Sequence, residues 1–424
     1  MIETISLTPG VTLRYCGDRR FKKGALSIQL MRPMCDGETA LNALLPAVLL
    51  RGTRLHPDLQ QITFRLDELY GAAVSCLVRR VGDIQTVGFY LSFLEDRFAL
   101  PGDEILAPTV DFLRELLLDS ATENGVFPPD FVESEKKNLI SVIEAELNDK
   151  QRYATAKMLR QMCRGDSFAV PRLGTAESVA AITPESLWAH YGKILKTSRV
   201  QIFYVGAASK ERVAQLLTPI ARAISAEAEP MPAQTDFTPV SEPSDCTEQM
   251  EVQQGKLSMG FCTPITNRDP RFAAMMVANV IYGSGATSKL FRNVREKQSL
   301  CYYANSGYSA TKGIVTVSCG VDPENYEAAR SEILHQLAEL AAGQITAEEL
   351  RDAKQAAVSS LRSVPDSPGS LEGYYAVSGL TGAAEWDIPA YIAAVEAVTA
   401  EQAAEAAATV RLHTTFFLKG GASR

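Results

Sequence analysis

Short segments of this 424-residue chain recur in the same order at a near-constant distance. Gly24-Ala25-Leu26-Ser27-Ile28 is echoed by Gly255-Lys256-Leu257-Ser258-Met259, 231 positions on (255 − 24). Gly52 is echoed by Gly283 at the same spacing (283 − 52 = 231), and Ala181-Ile182-Thr183-Pro184-Glu185 by Ala397-Val398-Thr399-Ala400-Glu401 at 216 (397 − 181). Ordered self-similarity of this kind signals a duplicated unit. The fall in spacing places about fifteen extra residues in the first half (231 − 216 = 15). Between the halves, Glu227 to Asp245 carries Pro230, Pro232, Pro239 and Pro243 among acids, Ser and Thr, and so reads as a linker. The expected division is 1–226, a linker at 227–245, and 246–424.

Each half alternates strand and helix signals. Ala25 to Met31, Ile84 to Phe93, Val200 to Val205, Leu257 to Cys262 and Gly313 to Val321 are short runs rich in apolar and β-branched residues, as strands are. Asp130 with Glu133 starts a helix running towards Arg160, and Thr346 with Glu349 has the pattern of a capping box. Thr183-Pro184 puts Pro at the first helical position, where a missing N–H costs nothing. Ala393 to Ala408 reads as one helix of small residues suited to close packing. The predicted class is α+β: two homologous halves, each a mostly antiparallel sheet packed with helices.

A balance of 46% hydrophobic and 22% charged residues is that of a globular protein with a large core. A formal charge of −8 excludes a global basic field for nucleic acid or anionic lipid. No stretch reaches the roughly 18 to 20 apolar residues that span a bilayer, and Met1-Ile2-Glu3-Thr4-Ile5 does not begin a signal peptide. The eight cysteines are scattered without a C-x-x-C pair, which points to free thiols and a cytoplasmic protein. His56, His190, His335 and His413 stand far apart, so no self-contained zinc motif is present.

The segment Ala43-Leu44-Leu45-Pro46-Ala47-Val48-Leu49-Leu50-Arg51-Gly52-Thr53 resembles the H-F-L-E-H-M-x-F-K-G-T segment of the insulinase-type zinc peptidases, the inverzincins, which include mitochondrial processing peptidase. The resemblance continues through Phe168-Ala169-Val170-Pro171-Arg172-Leu173-Gly174-Thr175 and, in the second half, through Gly283 to Phe291 and Val294 to Tyr302. It implies halves of sheet backed by helices, two pairs of which close like a clam shell round a peptide chamber. It also places Ala43 and Ala47 where two zinc-ligating histidines belong, and Pro46 where the glutamate base belongs. A methyl group is no metal donor, and the Pro side chain accepts no proton. The third ligand of the family follows a Glu by seven residues. The match starting at Glu135-Lys136-Lys137 puts Val142 at that place, with Glu144 and Glu146 nearby on what reads as a solvated helix face. Pro46 inside a helical pattern costs about 3 kcal/mol unless the helix bends or ends there. The chain itself is therefore expected to hold no metal and no cofactor, with zinc in a partner.

Leu66-Asp67-Glu68-Leu69-Tyr70-Gly71-Ala72 and Asn148-Asp149-Lys150-Gln151-Arg152-Tyr153-Ala154 resemble the bacterial zinc-less subgroup that works beside a zinc-bearing sister subunit. That subgroup includes the member associated with maturation of translation elongation factor P. Arg295 and Tyr302 match the family's R-x-K-x-x-L-x-Y pair, with Lys297 and Leu300 in place and Cys301 before the Tyr. In the family this pair reaches the active site from across the chamber. The resemblance thus implies a non-catalytic subunit of a heterodimeric zinc metallopeptidase that lends Arg295 and Tyr302 in trans to act on a peptide or protein substrate. A proteolytically silent scaffold or chaperone-like module is the alternative, and a homodimer the fallback assembly. Gly283-x-Gly285 lacks the third glycine of a dinucleotide loop, and Lys289 lacks P-loop spacing. A turn that lets helix and strand approach closely fits Gly283 better.

Overall fold

Each of the five runs read as strands forms one. In a computed structural model, which describes residues 2–146, 148–235, 237, 242–378, 380 and 387–420, they sit in two separate sheets. The first sheet holds β1 (Glu3–Thr8), β2 (Val11–Gly17), β3 (Lys23–Pro33), β4 (Ala73–Val81), β5 (Ile84–Leu94) and β6 (Arg199–Gly206). Their order is β1-β2-β6-β3-β5-β4. The second holds β7 (Ser244–Met250), β8 (Gly255–Cys262), β9 (Tyr303–Ser309), β10 (Ile314–Val321) and β11 (Arg411–Gly420), in the order β7-β11-β8-β10-β9. Among the described residues only β2–β6 and β7–β11 pair in parallel. Without β1 the two orders are the same, so the duplication seen as weak echoes is a duplication of topology.

Register locates the extra residues. Ile28 pairs with Phe89 and Ile202; 231 positions on, Met259 pairs with Val317 and Thr415. The two flanking partners are 113 positions apart in the first half (202 − 89) and 98 in the second (415 − 317). The difference of fifteen (113 − 98) arises among the helices between those strands.

The compact units do not follow the contiguous division 1–226, 227–245 and 246–424. Residues 145–169 fold with the second sheet and residues 365–380 with the first. In the first unit, α1 (Thr39–Leu49), α2 (Leu59–Glu68), α3 (Leu106–Leu118), α4 (Pro129–Ala145), α6 (Ala176–Ala180), α7 (Pro184–Thr197) and α8 (Lys210–Ala223) supply one face of the sheet. Leu26, Ile28 and Leu30 alternate towards their shared core with Phe89, Leu91 and Phe93. Opposite-facing Ser27, Gln29, Thr86 and Gln201 are also buried, because α12 (Pro368–Ser378) covers that face.

The second unit mirrors this. Its sheet is accompanied by α9 (Phe272–Asn279), α10 (Tyr326–Ala341), α11 (Ala347–Ser363), α13 (Ile388–Ala397) and α14 (Ala400–Ala407), and its other face is covered by α5 (Lys150–Met162). A Cβ on Gly260 would lie 2.5 Å from the sulfurs of Met158 and Met162, so the glycine admits α5 to the sheet. The physical reason for the exchange is that each sheet has two faces to cover, and each takes one covering helix from the other half of the sequence.

Two expected helices are each divided. The helix towards Arg160 is α4 and α5, broken before Asp149, whose carboxylate accepts the Arg152 N–H at 3.0 Å. The Ala393–Ala408 helix is α13 and α14. Thr399 and Gln402 form a capping box at the break, like those at Thr183 and Thr346. The linker is anchored at its start, where Glu229 pairs with Arg32 at 3.2 Å, and β7 already begins at Ser244; residues 236 and 238–241 lie outside the described residues.

Candidate functional site

Ala43, Pro46 and Ala47, which the resemblance sets at the zinc motif, lie on α1, an apolar helix packed into the first core. Ala43 is 6% exposed, Pro46 is buried and Ala47 half-buried. The helix runs on through Pro46 to Leu49, and the Pro46 carbonyl accepts the Leu50 N–H at 3.1 Å. Pro46 lines a small apolar cavity with Leu45 and Leu49 of its own helix, Leu30, Val87 and Phe89 of the sheet, and Tyr191 and Ile194 of α7. The surroundings of Pro46 are therefore those of an apolar core. Val142 on α4 is 54% exposed, and Glu144 and Glu146 are exposed too. Glu135, two turns before Val142, is held by Arg51 at 3.4 Å. None of Ala43, Pro46, Ala47 and Val142 carries a donor atom, so these residues do not fit zinc. Among the described residues no three His, Cys, Asp or Glu side chains gather as a metal site would require.

Beside Ala43 runs a polar network that the sequence did not disclose. Asn42, fully buried, donates to Gln85 Oε1 at 2.9 Å, and its Oδ1 lies 2.7 Å from His190 Nε2. Gln85 in turn donates to the carbonyls of Thr39 and Arg172 at 3.2 and 2.7 Å. Burial pushes the His190 imidazole down to about 4, so it is neutral and its Nε2–H donates to Asn42. The lone His is a satisfied core residue. His56 likewise serves structure: its Nδ1 lies 2.6 Å from the buried Glu115, which also takes the Thr53 hydroxyl.

In the second unit, Gly283 sits in a π-helical turn, Val280–Ser284, where an added Cβ would lie 2.7 Å from Leu290 and from Ser306 of β9. This is the close approach expected of it. Lys289 is no phosphate ligand; it is buried in an ion pair with Glu349 at 3.0 Å. A second π-helical segment, Leu290–Lys297, buries Leu290 and Val294 and turns Arg295 to solvent. Ser299, at φ +51°, reverses the chain, and the Leu300 N–H reaches back to the Val294 carbonyl at 3.0 Å. A left-handed residue closing a helical segment is usually Gly.

The chain then enters β9, with the Tyr302 N–H on the Gly320 carbonyl at 2.8 Å. Arg295 lies over the Phe291 ring, its guanidinium carbon 4.7 Å from the centroid. Tyr302 is 52% exposed, and its hydroxyl donates to Asp322 at 3.2 Å. That carboxylate holds the phenol above its ordinary value, so it stays a protonated donor at neutral pH. Both side chains thus project from one short, anchored segment while Val294 and Cys301 hold it from below. A phenol and a guanidinium so placed can donate hydrogen bonds to a peptide or to charge developing on its carbonyl oxygen.

No described helix is long and apolar enough to cross a membrane. A model of the peptidase M16 inactive domain matches residues 181–357. The probable inactive metalloprotease YmfF of Bacillus subtilis is 30% identical over 413 residues, 97% of this chain and 96% of that protein. Among solved structures, a conserved protein from Enterococcus faecalis V583 is similar over 100% of this chain and 99% of its own, with a TM-score of 0.94 and 26% identity. The peptidase M16 inactive domain from Pseudomonas fluorescens covers the same shares, with a TM-score of 0.79 and 18% identity. Similarity running the length of the chain, joined to a motif without a single donor, identifies this protein as a member of the peptidase M16 family, among its inactive members.

Proposed function

We propose that this chain is the non-catalytic subunit of a two-subunit zinc peptidase and lends Arg295 and Tyr302 to the active site of a homologous, zinc-bearing partner. The observation that carries the reading is an asymmetry of exposure. Ala43 and Pro46 are sealed into a core, whereas Tyr302 is 52% exposed with its hydroxyl proton retained. A tyrosine serving only to start a core strand would be buried. In the partner's site, the Tyr302 hydroxyl donates to the carbonyl oxygen of the scissile peptide as it gains negative charge, and Arg295 grips the peptide backbone.

Losing one such donor typically costs roughly 10²–10³ in turnover. Tyr302→Phe in an assembled complex should therefore lower kcat at least about tenfold with unchanged stability. Turnover equal to wild type in both Tyr302→Phe and Arg295→Ala complexes would reject the role. One observation favours a second reading, a proteolytically silent scaffold: the Tyr302 hydroxyl already has an acceptor in Asp322. Under that reading neither Tyr302→Phe nor Arg295→Ala changes the turnover of a complex with a zinc-bearing sister.

A further inference from the structure

Cys301 and Cys319 meet where the chain enters β9. Tyr303 is the ladder partner of Gly320, yet the Tyr302 N–H also bonds the Gly320 carbonyl, at 2.8 Å. The chain slips by one residue there, which draws Cys301 back along β10 towards Cys319. Diagonal neighbours on one face of a sheet are within side-chain reach. The two thiols are in hydrogen-bond contact. Cys319 is fully buried, level with its ladder partners Leu257 and Ala304, whereas Cys301 keeps 9% of its surface open beside the exposed Tyr302.

The contact makes the two thiols unlike. Its hydrogen bond to Cys301 and its burial both hold the Cys319 proton in place. The Cys301 thiol, accepting that bond, is drawn below its ordinary value, and the Arg295 guanidinium lowers it further against the cost of burial. Lys256 of β8 adds a second positive charge near the pair. A partly open thiol drawn towards thiolate, with a second thiol in contact, supplies one sulfur to be oxidised and one to resolve it.

We propose that Cys301 and Cys319 are a modification site for hydrogen peroxide, which closes a reversible disulfide tying the Arg295–Tyr302 segment to β10. The Cys301 sulfur attacks one peroxide oxygen; the S–O bond forms as O–O breaks, and the other oxygen leaves with the Cys301 proton as water. The Cys319 sulfur then attacks the sulfenic sulfur, the S–O bond breaks, and the departing hydroxide takes the Cys319 proton as a second water. Two thiols are oxidised and one peroxide is reduced to two waters. A dithiol reductant reverses the step by exchange. The inference goes beyond the role of Arg295 and Tyr302 in trans, since it requires only this chain and a peroxide.

The test uses the full chain, reduced, freed of reductant and exposed to hydrogen peroxide. Remaining thiols are capped with N-ethylmaleimide and the protein is digested with trypsin without reduction. Cleavage after Lys297, Lys312 and Arg330 places Cys301 in peptide 298–312 and Cys319 in peptide 313–330. Mass spectrometry should find these peptides joined, and parted again by dithiothreitol, at doses that leave the exposed Cys35 at least about tenfold less oxidised. In Cys319→Ala, dimedone should label a sulfenic acid at Cys301; in Cys301→Ala it should leave Cys319 unlabelled. Arg295→Gln should slow the joining severalfold. Peptides that stay separate while Cys35 oxidises, Cys301 joined to a different cysteine, or dimedone labelling of Cys35 ahead of Cys301 would overturn the proposal. None of these readouts involves turnover, so the oxidation site and the role in trans can fail independently.

Discussion

At the scale of single residues, the most consequential side chain is one that does no chemistry. His190 stands 6% exposed, and burial depresses its imidazole from 6.5 to about 4. The unfolded chain therefore takes up this proton first as pH falls. Above about 6.5 the residue has no pH-linked effect on stability; between about 6.5 and 4 the fold loses ground, and below 4 the loss levels off. A depression of about 2.5 units amounts to about 3 kcal/mol. Denaturant titrations at pH 7 and pH 4 should show wild type losing about that much more stability than His190→Gln, which keeps a donor for Asn42. Identical pH dependence in the two proteins would mean that the neutral imidazole is not what the acid attacks. None of this was legible in the sequence, because Asn42, Gln85 and His190 converge only after 148 residues of chain (190 − 42) have folded back. The reading of Ala43, Pro46 and Ala47 as positions without donors needed no fold at all, since it rests on what a methyl group and a pyrrolidine ring lack.

At the scale of elements, local signals were reliable where a cap announced them. Thr183 and Thr346 begin helices as their spacing implied. The divided helices were missed because Asp149 and Thr399, each an N-cap, are short interruptions in stretches otherwise rich in helix formers, although Thr399 stands where the echo of Thr183 puts a helix start. The destination of α5 and α12 could not be read from either segment, since covering a sheet is a long-range choice. For α12 the deciding group is Glu372. Its carboxylate, 1% exposed, accepts from Ser27 at 2.8 Å, Gln29 at 3.0 Å and both terminal nitrogens of Arg79 at 3.0 and 2.9 Å. Removing one partner of a buried pair strands the other, although Arg79 retains some solvent. Glu372→Ala is expected to cost about 3 kcal/mol and Glu372→Gln less, as read by chemical denaturation. A loss below about 0.5 kcal/mol for Ala would show that α12 is held by its apolar contacts alone.

At the scale of the whole molecule, the exchange of covering helices means that neither half of the sequence encodes a complete unit. A fragment of residues 1–233 contains every strand of the first sheet but lacks α12. It should therefore unfold without a sharp cooperative transition, and gain one when a peptide of residues 365–380 is added. A cooperative melt by the fragment alone would show that α12 is dispensable. The same arrangement bears on how the chain emerges from a ribosome. The last strand of the first sheet ends at Gly206, yet Glu372 is synthesised 166 residues later (372 − 206). At about 5–20 residues per second, the sheet waits on the order of ten to thirty seconds with one face open. That face presents Ser27, Gln29, Thr86 and Gln201 interleaved with Ala25, Phe203 and Val205. The hydroxyls and amides keep part of that nascent surface wetted while it waits, but Phe203 and Val205 stay open to neighbouring nascent chains until α12 arrives to cover them.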